Sequence, residues 1–308
     1  VNKEIGPGVY PTMITPFKED LSIDYNAVEK LIEWYLNEGI DGLFAICQSS
    51  SMFNLSRKEK KDLAGMICKT VPESLPVIAS GHTSDTLEEQ AVDLNDMADA
   101  GVDALVLISN RFATPFENDD IWIENLDRLL TKLPSDIPLG FYECPYPYKR
   151  ILSEKVIKHL IDVDRFEFIK DTCCDPLMIK DRAKLCKETK IKLYNANAAS
   201  LLMSLQEGYN GYSGVMANFH SHYYYWMCKN WKSDPNKAEK IQNYLTIASD
   251  IERQYYPANA KYILKKEGVL SNTICRRSEP SRELSDIEKL ELDHFYSLSK
   301  MNHEYFFN

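Results

Sequence analysis

No apolar run in the 308-residue chain approaches the roughly 20 residues that a membrane-crossing helix needs. The first residues also lack the basic-then-apolar pattern of a secretory signal. Positive charge is not in excess either: 36 Lys and Arg stand against 46 Asp and Glu, a formal net charge of −10. Nucleic acid and anionic membrane both reward clustered Lys and Arg, so neither is expected as a partner. An anionic small substrate stays open, because a local pocket overrides the field of the whole surface. The eight cysteines include no C-x-x-C pair, and in so long a chain they read as reduced thiols rather than a disulfide frame. Low-complexity segments and a glycine-rich dinucleotide fingerprint are also missing. A soluble, cytoplasmic protein is the resulting expectation.

What is present is 44% hydrophobic and 27% charged residues, a globular composition with ample core material. One phrase recurs. Glu38-Gly39-Ile40-Asp41-Gly42 leads into Leu43, Ala100-Gly101-Val102-Asp103-Ala104 into Leu105, and Glu207-Gly208-Tyr209-Asn210-Gly211 into Tyr212. Each time an amphipathic helix ends in glycine and a tight polar turn starts an apolar strand, the αβ joint of a repeating βα unit. Strands are predicted at 8–17, 43–46, 76–80, 105–109, 138–143, 166–170, 191–194 and 212–216. Helices are predicted at 25–38, 57–69, 85–99, 119–132, 153–161, 176–188, 198–207 and 219–231. Short continuous apolar strands suit a parallel sheet covered on both sides. Eight such alternations predict an α/β chain closed into a (β/α)8 TIM barrel over residues 1–232. From 233 to 308 only helical stretches follow (236–254, 257–267 and 284–300), a C-terminal helical appendage packed on the barrel. The longest predicted loop runs from Ser271 to Arg282.

In this architecture functional side chains gather at the carboxyl ends of the strands. Lys170 ends the buried strand Phe166-Glu167-Phe168-Ile169. A lysine there either snorkels outward or is kept for its amine, whose pKa (about 10.4 unperturbed) falls on burial and which attacks carbonyls. Tyr142 ends strand 5, as an acid/base beside Lys170 or as an aromatic with a satisfied hydroxyl. Gln48-Ser49-Ser50-Ser51 read as opening the second helix with hydroxyls and free N–H groups, a seat for a carboxylate or a plain N-cap. Arg111, after strand 4, is either a cation for a second anionic group on the substrate or half of a surface salt bridge. A lysine, a phenol and an anion-binding turn together suit an amine that condenses with a 2-keto acid.

Thr15-Pro16-Phe17, the serine-rich turn after strand 2, Tyr142, Lys170-Asp171-Thr172 and the Gly208-x-x-Gly211 stretch carry a resemblance. Over roughly residues 6 to 270 the chain resembles the dihydrodipicolinate synthase / N-acetylneuraminate lyase superfamily, class I Schiff-base aldolases. The resemblance implies that Lys170 forms an imine with pyruvate or a related 2-keto acid, with no other cofactor, while Tyr142 shuttles protons. Gln48 and Ser49 would face the keto-acid carboxylate, and Thr172 and Gly214 would line the substrate pocket. A homo-oligomer, dimer or tetramer, is implied as well. The reaction expected is condensation or cleavage between the keto acid and an aldehyde. Dehydration of a 2-keto-3-deoxy sugar acid through the same imine, and a silenced barrel that only binds keto acids, are the alternatives.

The departures are specific. The family's strand-2 turn is usually Gly-Ser/Thr-Thr-Gly-Glu, and here it is Cys47-Gln48-Ser49-Ser50-Ser51. Arg111-Phe112 replaces a usual pair of tyrosines, so the hydroxyl relay serving the strand-5 tyrosine cannot be built from these positions. After Tyr142 the synthases' arginine is missing, with Lys149 and Arg150 the nearest cations. The lyases' acids after strand 7 correspond to Ala198 and Ala199. Four other signals are read as structural. His220-Ser221-His222 lacks a supporting cluster and is not taken as a metal site. Tyr223-Tyr224-Tyr225-Trp226 reads as packing against the C-terminal helices or a subunit contact. Lys58, Lys60 and Lys61 read as a solvated helix face, and Cys173-Cys174 as small loop residues.

Overall fold

A computed structural model describes residues 2–276 and 282–307. Its eight parallel strands are β1 (Gly8–Val9), β2 (Leu43–Ile46), β3 (Val77–Ala79), β4 (Ala104–Ile108), β5 (Leu139–Tyr142), β6 (Phe166–Asp171), β7 (Lys192–Asn195) and β8 (Gly211–Tyr212). They run in the order β1-β8-β7-β6-β5-β4-β3-β2, and a bridge from Thr12 to Phe44 brings the continuation of β1 beside β2. The sheet is thereby curled into a barrel. The predicted first strand 8–17 keeps only two ladder residues plus isolated bridges, since Pro11 and Pro16 have no N–H to donate.

Between strands lie α1 (Tyr25–Glu38), α2 (Arg57–Thr70), α3 (Leu87–Asp99), α4 (Asp119–Leu130), α5 (Glu154–Val163), α6 (Pro176–Cys186) and α7 (Leu201–Glu207), with α8 (Ala217–Asn230) following β8. Asp24, Ser56, Thr86, Asn118, Ser153 and Asp175 each accept a first-turn N–H, as N-caps do. Then come α9 (Pro235–Ala248), α10 (Ala258–Lys266) and α11 (Asp286–Phe307). Tyr223 on α8 donates to the Ser299 carbonyl on α11 at 2.9 Å, so the tyrosine run packs against the C-terminal helices. No helix among the described residues is long and apolar enough to cross a membrane. All eight cysteines are unpaired.

The recurring phrase has a mechanical reason. Its glycines take positive φ at the helix exits: 89° at Gly39, 91° at Gly101 and 117° at Gly208. Its polar residue stitches the neighbouring strand. Asp41 accepts from Val9 N at 3.0 Å, Asp103 from Val77 N at 2.8 Å and Asn210 from Leu193 N at 2.9 Å. Each phrase thus ends one helix and anchors the start of an adjacent strand.

Two buried polar clusters fix the opposite, carboxyl ends. Arg182 on α6 reaches Glu143 at 2.5 and 3.1 Å and Asp171 at 2.8 Å, all three side chains being almost fully buried. Glu143 also accepts from Leu152 N (2.8 Å) and Thr172 N (2.9 Å), and Asp171 from Cys173 N (2.6 Å) and the Tyr209 hydroxyl. The second cluster corrects an expectation. Lys60 is not on a solvated face; it shares the inward side of α2 with Leu63, Ala64 and Ile67, one helical turn apart. Its ammonium donates to Gly81 O at 3.0 Å and Thr83 Oγ1 at 2.6 Å and lies 3.6 Å from Asp93. Only Lys58 and Lys61 pair at the surface.

Removing one member of a buried ion pair strands its partners, which costs about 3–5 kcal/mol. Arg182→Met is therefore expected to lower unfolding stability by that order in urea titrations. His82 supplies a pH dependence. It is fully buried and neutral, accepting from Ile108 N at 3.0 Å and facing Gln90 Oε1 at 2.9 Å, and burial pushes it down to about 4. The unfolded chain binds a proton from about 6.5 downward. Stability is thus lost as pH falls from about 6.5 to about 4, by about 3 kcal/mol in the limit. His82→Gln is expected to flatten that part of the stability–pH curve.

Candidate active site

A cavity of about 580 Å³ opens at the carboxyl ends of the strands. Lys170, Tyr142, Gln48, Ser49, Thr172 and Gly214 line it, bringing together six of the seven positions picked from the sequence. In the parallel β5–β6 ladder Tyr142 is in register with Lys170. Side chains alternate along a strand, so these two face the pocket while Glu143 and Asp171 face outward to Arg182.

Lys170 is 5% exposed, and its Nζ lies 4.3 Å from the Tyr142 ring centre and 5.4 Å from that of Phe44. The groups whose charge acts on it are the thiols Cys47 and Cys144, and no carboxylate pairs with it among the described residues. Burial therefore pulls the amine down to about 8. At pH 7.4 roughly a fifth of it is the neutral nucleophile, against about one in a thousand for an ordinary lysine. Burial raises the Tyr142 phenol well above its ordinary value, and it donates to Gln48 Oε1 at 3.2 Å. Next door, burial works against the Asp171 carboxylate, yet Arg182 and the Tyr209 and Cys173 donors more than offset it and hold its pKa down.

The strand-2 turn differs from the expectation. Gln48 to Ser51 do not open the second helix: α2 begins at Arg57, after a left-handed Ser51 (φ 62°) and a 3-10 turn at Met52–Asn54. The N–H groups of Ser50, Ser51 and Met52 are spent inside the turn, on Cys47 O and Gln48 O. Ser49 Oγ instead joins a hydroxyl chain, donating to Thr12 Oγ1 at 3.2 Å and accepting from the Tyr256 hydroxyl at 2.9 Å. Asn218 Nδ2 donates to that same tyrosine oxygen at 2.9 Å, and its Oδ1 accepts from Tyr35.

Arg111 lies outside the cavity. The 3-10 turn Ser109–Arg111 carries it to a separate shallow depression, where Nη1 meets Asp85 at 2.9 Å and the guanidinium rests over Phe53. Arg150 is also elsewhere, bonded to Asp119 at 3.0 Å, whereas Lys149 lines the cavity and donates to Thr172 O. Four lining residues come from segments no sequence signal marked: Glu252, Tyr256, Pro257 and Arg276. Arg276 sits in the loop predicted at Ser271 to Arg282, of which 277–281 lie outside the described residues. It binds Glu59 through both Nη atoms (2.9 and 2.7 Å), the main reason that carboxylate is held down at about 2.

His220 and His222 face different partners. His220 is buried near the Ser299 hydroxyl, and His222 pairs with Glu38 at 2.5 Å. Among the described residues no three His, Cys, Asp or Glu are arranged to hold a metal ion.

Comparison with known proteins agrees with this geometry. The model of the dihydrodipicolinate synthetase family matches residues 7–297. A 4-hydroxy-tetrahydrodipicolinate synthase of Chelativorans sp. is 24% identical over 297 residues, covering 92% of this chain and 96% of that protein. Among solved structures, Escherichia coli K12 YagE, a prophage protein of the dihydrodipicolinic acid synthase family seen in complex with pyruvate, superposes with a TM-score of 0.86 at 19% identity. The two matched regions span 96% of this chain and 99% of YagE. CdNal of Clostridium difficile, in complex with mannosamine, gives 0.84 at 19% identity, covering 96% of this chain and 99% of that one. With the family model spanning nearly the whole barrel and the helices after it, this chain belongs to the dihydrodipicolinate synthetase family.

Proposed function

We propose that this protein is a Schiff-base lyase in which Lys170 captures pyruvate or a related 2-keto acid and condenses it with, or releases it from, an aldehyde. The observation that carries the reading is a buried amine with no counter-ion among the described residues, set beside a phenol at the strand ends of a barrel. The neutral Lys170 amine adds to the ketone carbonyl, and loss of water leaves the imine. Removal of a proton from the carbon next to it gives an enamine, which forms the new carbon–carbon bond to the aldehyde; water then releases the product and restores the amine. Tyr142 is the acid/base group placed to move protons at the imine carbon and its neighbour. Gln48, Ser49, Thr172 and Gly214 bound the keto-acid half of the pocket. Neither a metal nor an organic cofactor is required by this chemistry. Dehydration of a 2-keto-3-deoxy sugar acid shares every step up to the enamine.

One observation favours the keto-acid-binding alternative. The Tyr142 hydroxyl is bonded to an amide carbonyl, which passes no proton onward. The tests separate the two. Incubation with pyruvate and borohydride is expected to leave a reduced adduct on Lys170 by mass spectrometry, and none in Lys170→Ala. The trapping rate should climb with pH and level off above about 8, where the amine is mostly neutral. Tyr142→Phe is expected to keep the adduct yet slow aldol turnover by about 10²–10⁴-fold. An adduct without turnover on any aldehyde would leave the binding protein as the surviving account.

A further inference from the structure

The cavity's outer wall is built in part by the segment after the barrel, and its lining holds three cations and one carboxylate. Arg276 and Lys149 are the cations there besides Lys170. Arg276 is spoken for, with Glu59 on both Nη atoms, Leu21 O at 2.7 Å on Nε and a further bond to Asn54 O. Lys149 is exposed and donates to Thr172 O. Against them stands Glu252, on the 3-10 turn Ser249–Arg253, half-buried in the wall of the same cavity. Among the described residues its carboxylate makes no hydrogen bond and no ion pair. Asn197, also in the wall, spends its Oδ1 on Ser200 N and Oγ (3.0 Å each), while its amide nitrogen makes no bond among the described residues.

We propose that Glu252 is the residue that selects the second substrate, and that this substrate is an uncharged aldehyde carrying hydroxyl groups rather than a carboxylate. The inference rests on the Lys170 imine reading and adds the other half of the reaction. A carboxylate without a protein partner accepts hydrogen bonds strongly and repels a second carboxylate. Asn197, in the wall of the same cavity, has an amide nitrogen that makes no bond among the described residues, so the lining offers both an acceptor and a donor, which suits hydroxyls that give and accept. Burial pushes the Glu252 carboxyl up to about 7 with Arg253 only partly opposing it, consistent with a group left without a cation inside the pocket. The cavity, at about 580 Å³, has room for such a partner beyond a three-carbon keto acid.

The test uses full-length wild type, Glu252→Gln and Glu252→Ala with pyruvate and either glyceraldehyde (hydroxylated, uncharged) or succinic semialdehyde (carboxylated). Wild type is expected to favour glyceraldehyde in kcat/KM. Both variants should lose about tenfold or more of that value through KM for glyceraldehyde, the scale of one hydrogen bond to a charged group. They should gain relative activity on succinic semialdehyde while trapping pyruvate on Lys170 as wild type does. A wild-type preference for the carboxylated aldehyde, or an unchanged ratio in both variants, overturns the inference while the imine stands. Absence of any pyruvate adduct in wild type overturns the imine reading itself, and the selection built on it.

Discussion

A guanidinium clamped between two buried carboxylates sets the height of β5 and β6 relative to one another. Arg182 touches Glu143 and Asp171, and these are the immediate neighbours of Tyr142 and Lys170. Because strand side chains alternate, whatever fixes the outward pair fixes the inward one. The outward face holds two carboxylates on one guanidinium; the inward face holds an amine beside rings and thiols, with no ion pair among the described residues. That asymmetry separates structure from chemistry across a single strand. Burial lets the lysine give up its proton more readily, an option closed to an arginine, so the amine's lowered proton affinity is a consequence of where the clamp leaves it.

The barrel was legible because its signals are local. Helix exits need glycine at positive φ, strand starts need a side-chain acceptor, and both fall within one five-residue phrase that repeats. Lys170 and Tyr142 were legible for the same reason, each marking the end of an apolar run. The misreadings have non-local causes. Lys60 looks like one of three surface lysines, and only its spacing with Leu63, Ala64 and Ile67 turns it inward, toward a carboxylate on the next helix. Arg111 was assigned to the barrel mouth by its place after β4, but a 3-10 turn and Asp85 on the neighbouring loop carry it away. Gln48 to Ser51 have the composition of a helix start, while Ser51 in the left-handed region and a 3-10 turn delay that start to Arg57. Tyr256 and Arg276 meet partners 207 and 217 residues away, and no window of sequence contains both members of either pair.

Tyr256 changes how the altered strand-2 turn is understood. Read alone, Cys47-Gln48-Ser49-Ser50-Ser51 looks like a site stripped of its hydroxyl relay. In the fold, Ser49 is the middle link of a chain running from Tyr256 to Thr12, with Asn218 and Tyr35 fixing the far side. Among the described residues no hydrogen bond joins Ser49 or Thr12 to the Tyr142 hydroxyl, which donates to Gln48. The chain therefore replaces the geometry of a relay without restoring its connection to the strand-5 phenol. What it does is tie the segment after the barrel to the floor of the cavity through hydrogen bonds between largely buried groups, where each lost partner would leave an unsatisfied polar group.

Division of labour follows from that tie. Strand ends supply the amine, the phenol and the inner side of the cavity; the residues after α8 supply its roof, with Glu252, Tyr256 and Arg276 reaching in from above. The floor is held by sheet register and by the Arg182 clamp, so its geometry changes only when the barrel does. The roof is held by side-chain contacts: a hydroxyl chain at Ser49 and a bidentate pair at Glu59. Residues of the roof can therefore differ while the amine's burial, and so its proton affinity, stays in place. Glu252, half-buried and without a partner among the described residues, lies in that roof.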